Sequence, residues 1–138
     1  MPHTPAATQQ SWVFHRGALG DSVLLWPLLR SLLKRGQVTL VSHDSHAQLA
    51  HRWLKVTPLD AEQSRFSALW TAGHAPALLI TGVSQVIAFD ADPQSDAGGV
   101  WRDNAAKLFP GASIELHPGR TDRIAALQLA GPRPDIGT

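Results

Sequence analysis

The chain has 138 residues, 43% hydrophobic and 17% charged, with a formal net charge of +1. That length suits one globular domain with a sizeable core and is short for a two-domain enzyme, while the near-neutral balance gives no electrostatic basis for binding nucleic acid. With no cysteine, disulfides and thiolate metal sites are excluded, and no apolar run approaches the roughly 20 residues of a transmembrane segment.

In chain order, the opening MPHTPAATQQ has no basic region followed by an apolar stretch. It does not read as a secretory signal, so residues 1–10 are expected to be flexible and the protein cytoplasmic. Ser11–Phe14 (SWVF) begins an apolar strand ending at His15 and Arg16, and GALGD is the turn after it. Ser22–Arg35 reads as a leucine-rich helix with basic residues in its last turn and Gly36 just beyond, both stop signals. Gln37–Ser42 alternates and is β-branched, which predicts a second strand. A helix through Leu54 follows, with Asp44 or Ser45 as its cap. Lys55–Asp60 is a third short strand in which Pro58 is tolerated only near an edge or end.

Ser64–Trp70 (SRFSALW) predicts a short helix. The apolar run Ala75–Val83 fits a buried helical turn or a strand equally. Gln85–Asp90 is a clearer strand, Ala91–Gly99 a loop, and Val100–Phe109 a helix stopped by Pro110–Gly111. Ala112–Pro118 predicts another strand and Thr121–Ala130 a final helix, before the breaker-rich, linker-like tail 131–138. Strands alternating with helices predict a Rossmann-like α/β domain over residues 11–130, a parallel sheet with helices on both faces. The tryptophans at 12, 26, 53, 70 and 101 are scattered, which favours packing over a dedicated binding box.

In such a sheet, ligands bind beyond the carboxyl ends of the strands. Gly17 and Gly20 lie in the turn that reaches that edge, where a missing Cβ lets backbone approach a ligand and helix N–H groups favour anions. Only two glycines, three apart, are present, short of the dinucleotide fingerprint; Asp44 imitates its ribose-binding acid only loosely. Asp21 reads either as a helix cap or as a reacting carboxylate. Residues 23–29 are apolar all round, as expected of a helix buried on every side or facing another domain. Pro27 inside a helix would cost about 3 kcal/mol; alternatively the helix breaks after Trp26 and Pro27 opens the next one.

The stretch RGALGDSVLLWPLLRSLLKRGQVTLVSHDSHAQLAH resembles the start of glycosyltransferase family 9, the bacterial heptosyltransferase family, whose members join an apolar strand, a Gly-x-x-Gly-Asp turn, an apolar stretch, a proline and a leucine-rich helix. The resemblance implies the N-terminal, acceptor-binding half of a two-domain GT-B enzyme. Such an enzyme transfers a sugar from a nucleotide-sugar donor to a saccharide or lipid-linked acceptor, commonly in lipopolysaccharide biosynthesis, inverting the anomeric centre without metal or other cofactor. It implies Asp21 as catalytic base, with Arg16, Gly17, Ala18, Leu19, Gly20 and Ser22 as substrate-binding residues; His43 joins them as a substrate-binding candidate through its place at the carboxyl end of the second strand. The donor-binding half has no counterpart here, so the resemblance also implies a C-terminal donor domain as partner, or self-association, and a possible peripheral position at the inner face of the inner membrane.

The remaining candidates have plainer readings. His43 and His46 have a His-x-x-His spacing, with His51 nearby, but lack the glutamate of a zinc-protease helix. The acids of Ala91–Asp96 read as a turn, and His117 closes a late strand. Two other functions stay open: a non-catalytic binding module using Val23–Trp26, and a nucleotide-binding oxidoreductase domain.

Overall fold

The computed structural model describes residues 9–89 and 91–118. Strands β1 (Gln9–Phe14), β2 (Gly36–Ser42), β3 (Thr57–Asp60), β4 (Gln85–Ala88) and β5 (Ser113–Leu116) form one sheet in the order β3-β2-β1-β4-β5. Every pairing is parallel, with Trp12 opposite Thr39 on one side and Val86 on the other. Helices α1 (Leu19–Leu24) and α2 (Trp26–Leu33) connect β1 to β2, and α3 (Asp44–Leu54) connects β2 to β3. Helix α4 (Ser64–Ser67) and a 3-10 turn (Ala68–Trp70) precede β4, and α5 (Asp96–Leu108) joins β4 to β5. The molecule is an α/β, Rossmann-like fold.

The sheet separates two cores of different chemistry. One face is aliphatic: Val13, Leu40 and Ile87 of the strands pack on Leu25, Leu28, Leu29 and Leu32, with Ala50 and Leu54 of α3. Each fully buried leucine contributes about 1.5–3 kcal/mol. The other face is aromatic: Trp12 and Phe14 meet Phe66, Trp101 and Phe109 edge-on, with centroids 5.1–6.1 Å apart, the spacing that ring quadrupoles favour. Alternation along β1 produces this division, because Trp12 and Phe14 point one way and Val13 the other. Adjacent strands β1 and β4 thus send their crossovers to opposite faces, α2 to the aliphatic core and α5 to the aromatic one. In open sheets of this kind, ligands bind at the point where neighbouring crossovers diverge in this way.

Several boundaries differ from the sequence reading. Gln9 and Gln10 pair with β2 rather than belonging to a flexible segment. The predicted helix Ser22–Arg35 is two helices: α1 begins at Leu19, inside the predicted turn, and the chain breaks at Leu25, leaving Pro27 in the first turn of α2 where its missing N–H costs nothing. Pro58 lies on β3, an edge strand, as required. The run 75–83 is neither helix nor strand; it is held instead by the Ile80 N–H, which donates to the Leu108 carbonyl at 2.8 Å. The helix predicted over 121–130 and the tail 131–138 lie outside the described residues.

The largest error concerns Ala91–Gly99, predicted as loop. Helix α5 starts at Asp96, capped by Ser95, whose Oγ accepts from the Gly98 N–H at 2.9 Å. Only the first of the two glycines is a packing requirement: a Cβ on Gly98 would collide with the Asp92 carbonyl oxygen, whereas one on Gly99 would meet nothing. Gly98→Ala is therefore expected to destabilise by about 1–3 kcal/mol, and Gly99→Ala to stabilise by up to about 1 kcal/mol through helix propensity alone. Urea melts of the two variants read this opposition directly.

Candidate functional site

The chain leaves β1 at its carboxyl end through His15. Its N–H still donates to the Val41 carbonyl at 2.9 Å, so the residue is held by the sheet and its side chain is fully buried. Neither ring nitrogen has a hydrogen-bond partner among the described residues. Burial lowers the His15 pKa to about 4, opposed by the Asp21 carboxylate and assisted by His46 and His43. The ring is therefore neutral near neutral pH. The next turn is built around it: a Cβ on Gly17 would lie 2.8 Å from His15 Nε2, so glycine is needed for the chain to pass this close.

Ala18 is the N-cap of α1, with extended backbone, and its carbonyl accepts from the Ser22 N–H at 3.0 Å. Asp21 falls in the first helical turn and makes no side-chain capping bond. It has no hydrogen bond or ion pair among the described residues. The capping alternative for Asp21 is thus overturned: the carboxylate is half-buried and engaged only through the field it shares with His15. At Gly20 a Cβ would meet nothing; the position leaves the rim bare.

From β2 and α3 come Ser42, His43 and His46. Ser42 is fully buried and its hydroxyl lacks a partner among the described residues. The rings of His43 and His46 meet edge-on at 5.3 Å, and burial together with His43 lowers the His46 pKa. Neither Asp44 nor Ser45, the alternative caps expected for α3, takes that place: His43 occupies the N-cap with no side-chain bond, and Asp44 is the first helical residue. His51 points away, bonding through Nδ1 to the Val56 carbonyl at 2.8 Å.

Two sequence-predicted binding residues are placed otherwise. The Arg16 guanidinium is 3.1 Å from Glu62 on the exposed surface, a pair worth at most about 1 kcal/mol. Ser22 is buried within α1, which removes it from contact with a ligand at the rim. Leu19 is 46% exposed. His117, at the end of β5, bonds to Glu115 at 2.7 Å and stacks on Phe89 at 4.9 Å; Phe89 in turn meets His15 edge-on at 6.5 Å. A line of rings therefore runs along the carboxyl edge from β1 to β5. Sequence reasoning missed His15 and treated His46 as solvated; the one available signal was a histidine closing an apolar strand two residues before a glycine. Among the described residues no group of three or more His, Asp or Glu could hold a metal ion.

The structural arrangement is similar to the crystal structure of hypothetic protein SMU.573 from Streptococcus mutans, at 14% identity and a TM-score of 0.50. The alignment covers 83% of this chain and 39% of that one, so the chain spans well under half the length of this neighbour. At that identity the likeness extends to the fold alone. No family model and no curated protein matches the chain.

Proposed function

We propose that the carboxyl edge of β1 and β2 is the acceptor side of an inverting, nucleotide-sugar-dependent glycosyltransferase, with Asp21 as general base. The observation that carries this reading is the half-buried Asp21 carboxylate, bonded to no described residue, at the edge where such sheets bind ligands. The resemblance of residues 16–51 to the heptosyltransferase family adds the reaction class. In the transfer, the acceptor hydroxyl oxygen attacks the anomeric carbon, and the bond from that carbon to the nucleoside diphosphate breaks, the leaving group taking the electron pair. The hydroxyl proton passes to Asp21. The transition state is oxocarbenium-like, so the hydroxyl becomes acidic only as the new bond forms, and an ionised, positioned acceptor suffices.

Ala18, Gly20 and His43 would line the acceptor position. Neutral His15 beneath Gly17 would leave the base without a buried positive charge beside it. The donor-binding contacts belong to a partner half, so this chain alone is expected to bind acceptor without turning over.

Titration of the labelled chain with a lipopolysaccharide core oligosaccharide tests the assignment. Amide shifts should cluster at residues 16–22 and 43–46. Absence of any shift at millimolar saccharide would refute it, and tight binding of a nicotinamide dinucleotide at this rim would replace it with an oxidoreductase. For a binding module using Val23–Trp26, Val23 is 40% exposed beside Leu19 at 46%, but Leu25 is fully buried and cannot meet a partner; saccharide-independent capture of a partner domain through Val23 would establish that reading.

A further inference from the structure

The layer that covers the aromatic core holds a second cavity, on different elements from the candidate site and independent of the transferase reading. Between the 3-10 turn and β4 the chain runs through residues 71–84 without helix or strand. Connections of about 12–15 residues or more are uncommon in compact domains unless they carry function. This one is pinned along its length. Buried Asn104 of α5 donates from Nδ2 to the Leu69 and Thr71 carbonyls, each at 2.8 Å. The Ile80 N–H donates to the Leu108 carbonyl and the Ser84 N–H to the Gln10 carbonyl, both at 2.8 Å.

Between those anchors the segment forms one wall of a groove of about 470 Å³, within the roughly 300–1,000 Å³ of small-molecule sites, which are mostly apolar and largely pre-formed. Pro76, Ala77, Leu78, Leu79 and Ile80 line it from the segment, and Ala68 and Leu108 from the helical layer. Leu78 is 82% exposed and Leu79 55%, the former more than any other large apolar side chain among the described residues. Ile80 and Leu108 belong to the packed aromatic core, so the groove has a fixed floor.

One cation is held in this apolar lining. Arg65 of α4 donates from Nε to Gln63 Oε1 at 2.9 Å, and its guanidinium lies over the Phe66 ring, 4.5 Å from the centroid. The side chain is thus fixed from two directions, while its terminal amino groups have no hydrogen bond or ion pair among the described residues. No acid lines the groove. A planar guanidinium with its outer fork open matches a carboxylate, which it binds through two parallel hydrogen bonds.

We propose that this groove binds a small apolar carboxylate, its aromatic or branched body on Leu78, Leu79 and Ile80 and its carboxylate on the open fork of Arg65. Charge and shape select that occupant. A second copy joined by a two-fold contact would present the same patch to itself and set one Arg65 near another with no acid to meet either.

Calorimetric titration of the full chain with naphthoate, against neutral naphthalenemethanol of the same ring system, tests the proposal. Naphthoate is expected to bind with sub-millimolar affinity, roughly tenfold tighter than the alcohol. Arg65→Gln should bring naphthoate down to the level of the alcohol and leave the alcohol unchanged, with Arg65→Lys between the two. Leu79→Ser should weaken both ligands alike. Each of these side chains is exposed, so the circular dichroism of every variant should match the parent. In the labelled chain, amide shifts should fall at residues 64–68 and 74–80 and leave 16–22 unmoved. No saturable binding at millimolar naphthoate, equal affinity for acid and alcohol, an Arg65→Gln variant that binds like the parent, or shifts confined to other residues would overturn the proposal. So would self-association of the chain that Leu78→Ser abolishes, which would give the groove to a second copy.

Discussion

Asp21→Asn, in this chain assembled with a donor-binding half, is expected to lower the rate of sugar transfer by about 10²–10⁴-fold with no loss of thermal stability. The two parts of that expectation have separate origins. The rate falls because asparagine keeps the size of the side chain but cannot take the acceptor proton as the glycosidic bond forms. Stability is retained because Asp21 caps nothing: Ala18 is the N-cap and no side chain closes the first turn of α1. A carboxylate serving as a cap would instead cost about 1 kcal/mol on replacement. Initial rates and melting curves for the same variant separate the two roles, and near-normal turnover would remove Asp21 from the chemistry.

The second large effect belongs to His15. Its pKa in the folded protein is lowered to about 4 from 6.5, so between these values the unfolded chain binds a proton that the folded chain refuses. Stability therefore rises with pH across this window. It is complete above about 6.5 and declines as acid approaches pH 4, by up to about 3 kcal/mol for a shift of this size. His15 is fully buried, so solvent does little to screen the effect. His15→Leu should remove most of this slope and be more stable than the parent at pH 5, because it also relieves two buried nitrogens without described partners, each costing about 1–3 kcal/mol when unmet. Urea denaturation of parent and variant at pH 5 and pH 7 reads the difference, and parallel pH profiles would show that His15 does not titrate as described.

The general architecture was legible in the chain because its signals are local. Alternation in Trp12, Val13 and Phe14 sets the two faces of β1, and Pro58 confines its strand to an edge or places itself near a strand end, of which the sheet order shows the edge. The start of α5 was not legible, because Gly98–Gly99 reads as a breaker unless one sees that Gly98 must pass the Asp92 carbonyl. At the candidate site, the turn spacing marked Gly17 and Gly20, while Asp21 read equally as a cap until the family resemblance implied a reacting carboxylate. His15 did not stand out, because its interest lies in having no described partner inside a core, and an unmet bond is a property of packing that no motif carries. The preference of Arg16 for Glu62, 46 residues later, is equally invisible to local pattern.

The break at Leu25 has a mechanical consequence. Leu28, Leu29 and Leu32 anchor α2 in the aliphatic core, whereas α1 is six residues long, buries Ser22 and leaves Leu19 and Val23 partly exposed. The first crossover is thus one helix anchored by three leucines joined to a short one held through Ser22, and the carboxylate lies on the short one. Under the proposed transferase reading, a segment this short and part-exposed opens at lower free energy than the whole domain, which would let Asp21 adjust to an acceptor without any rearrangement of the sheet beneath it.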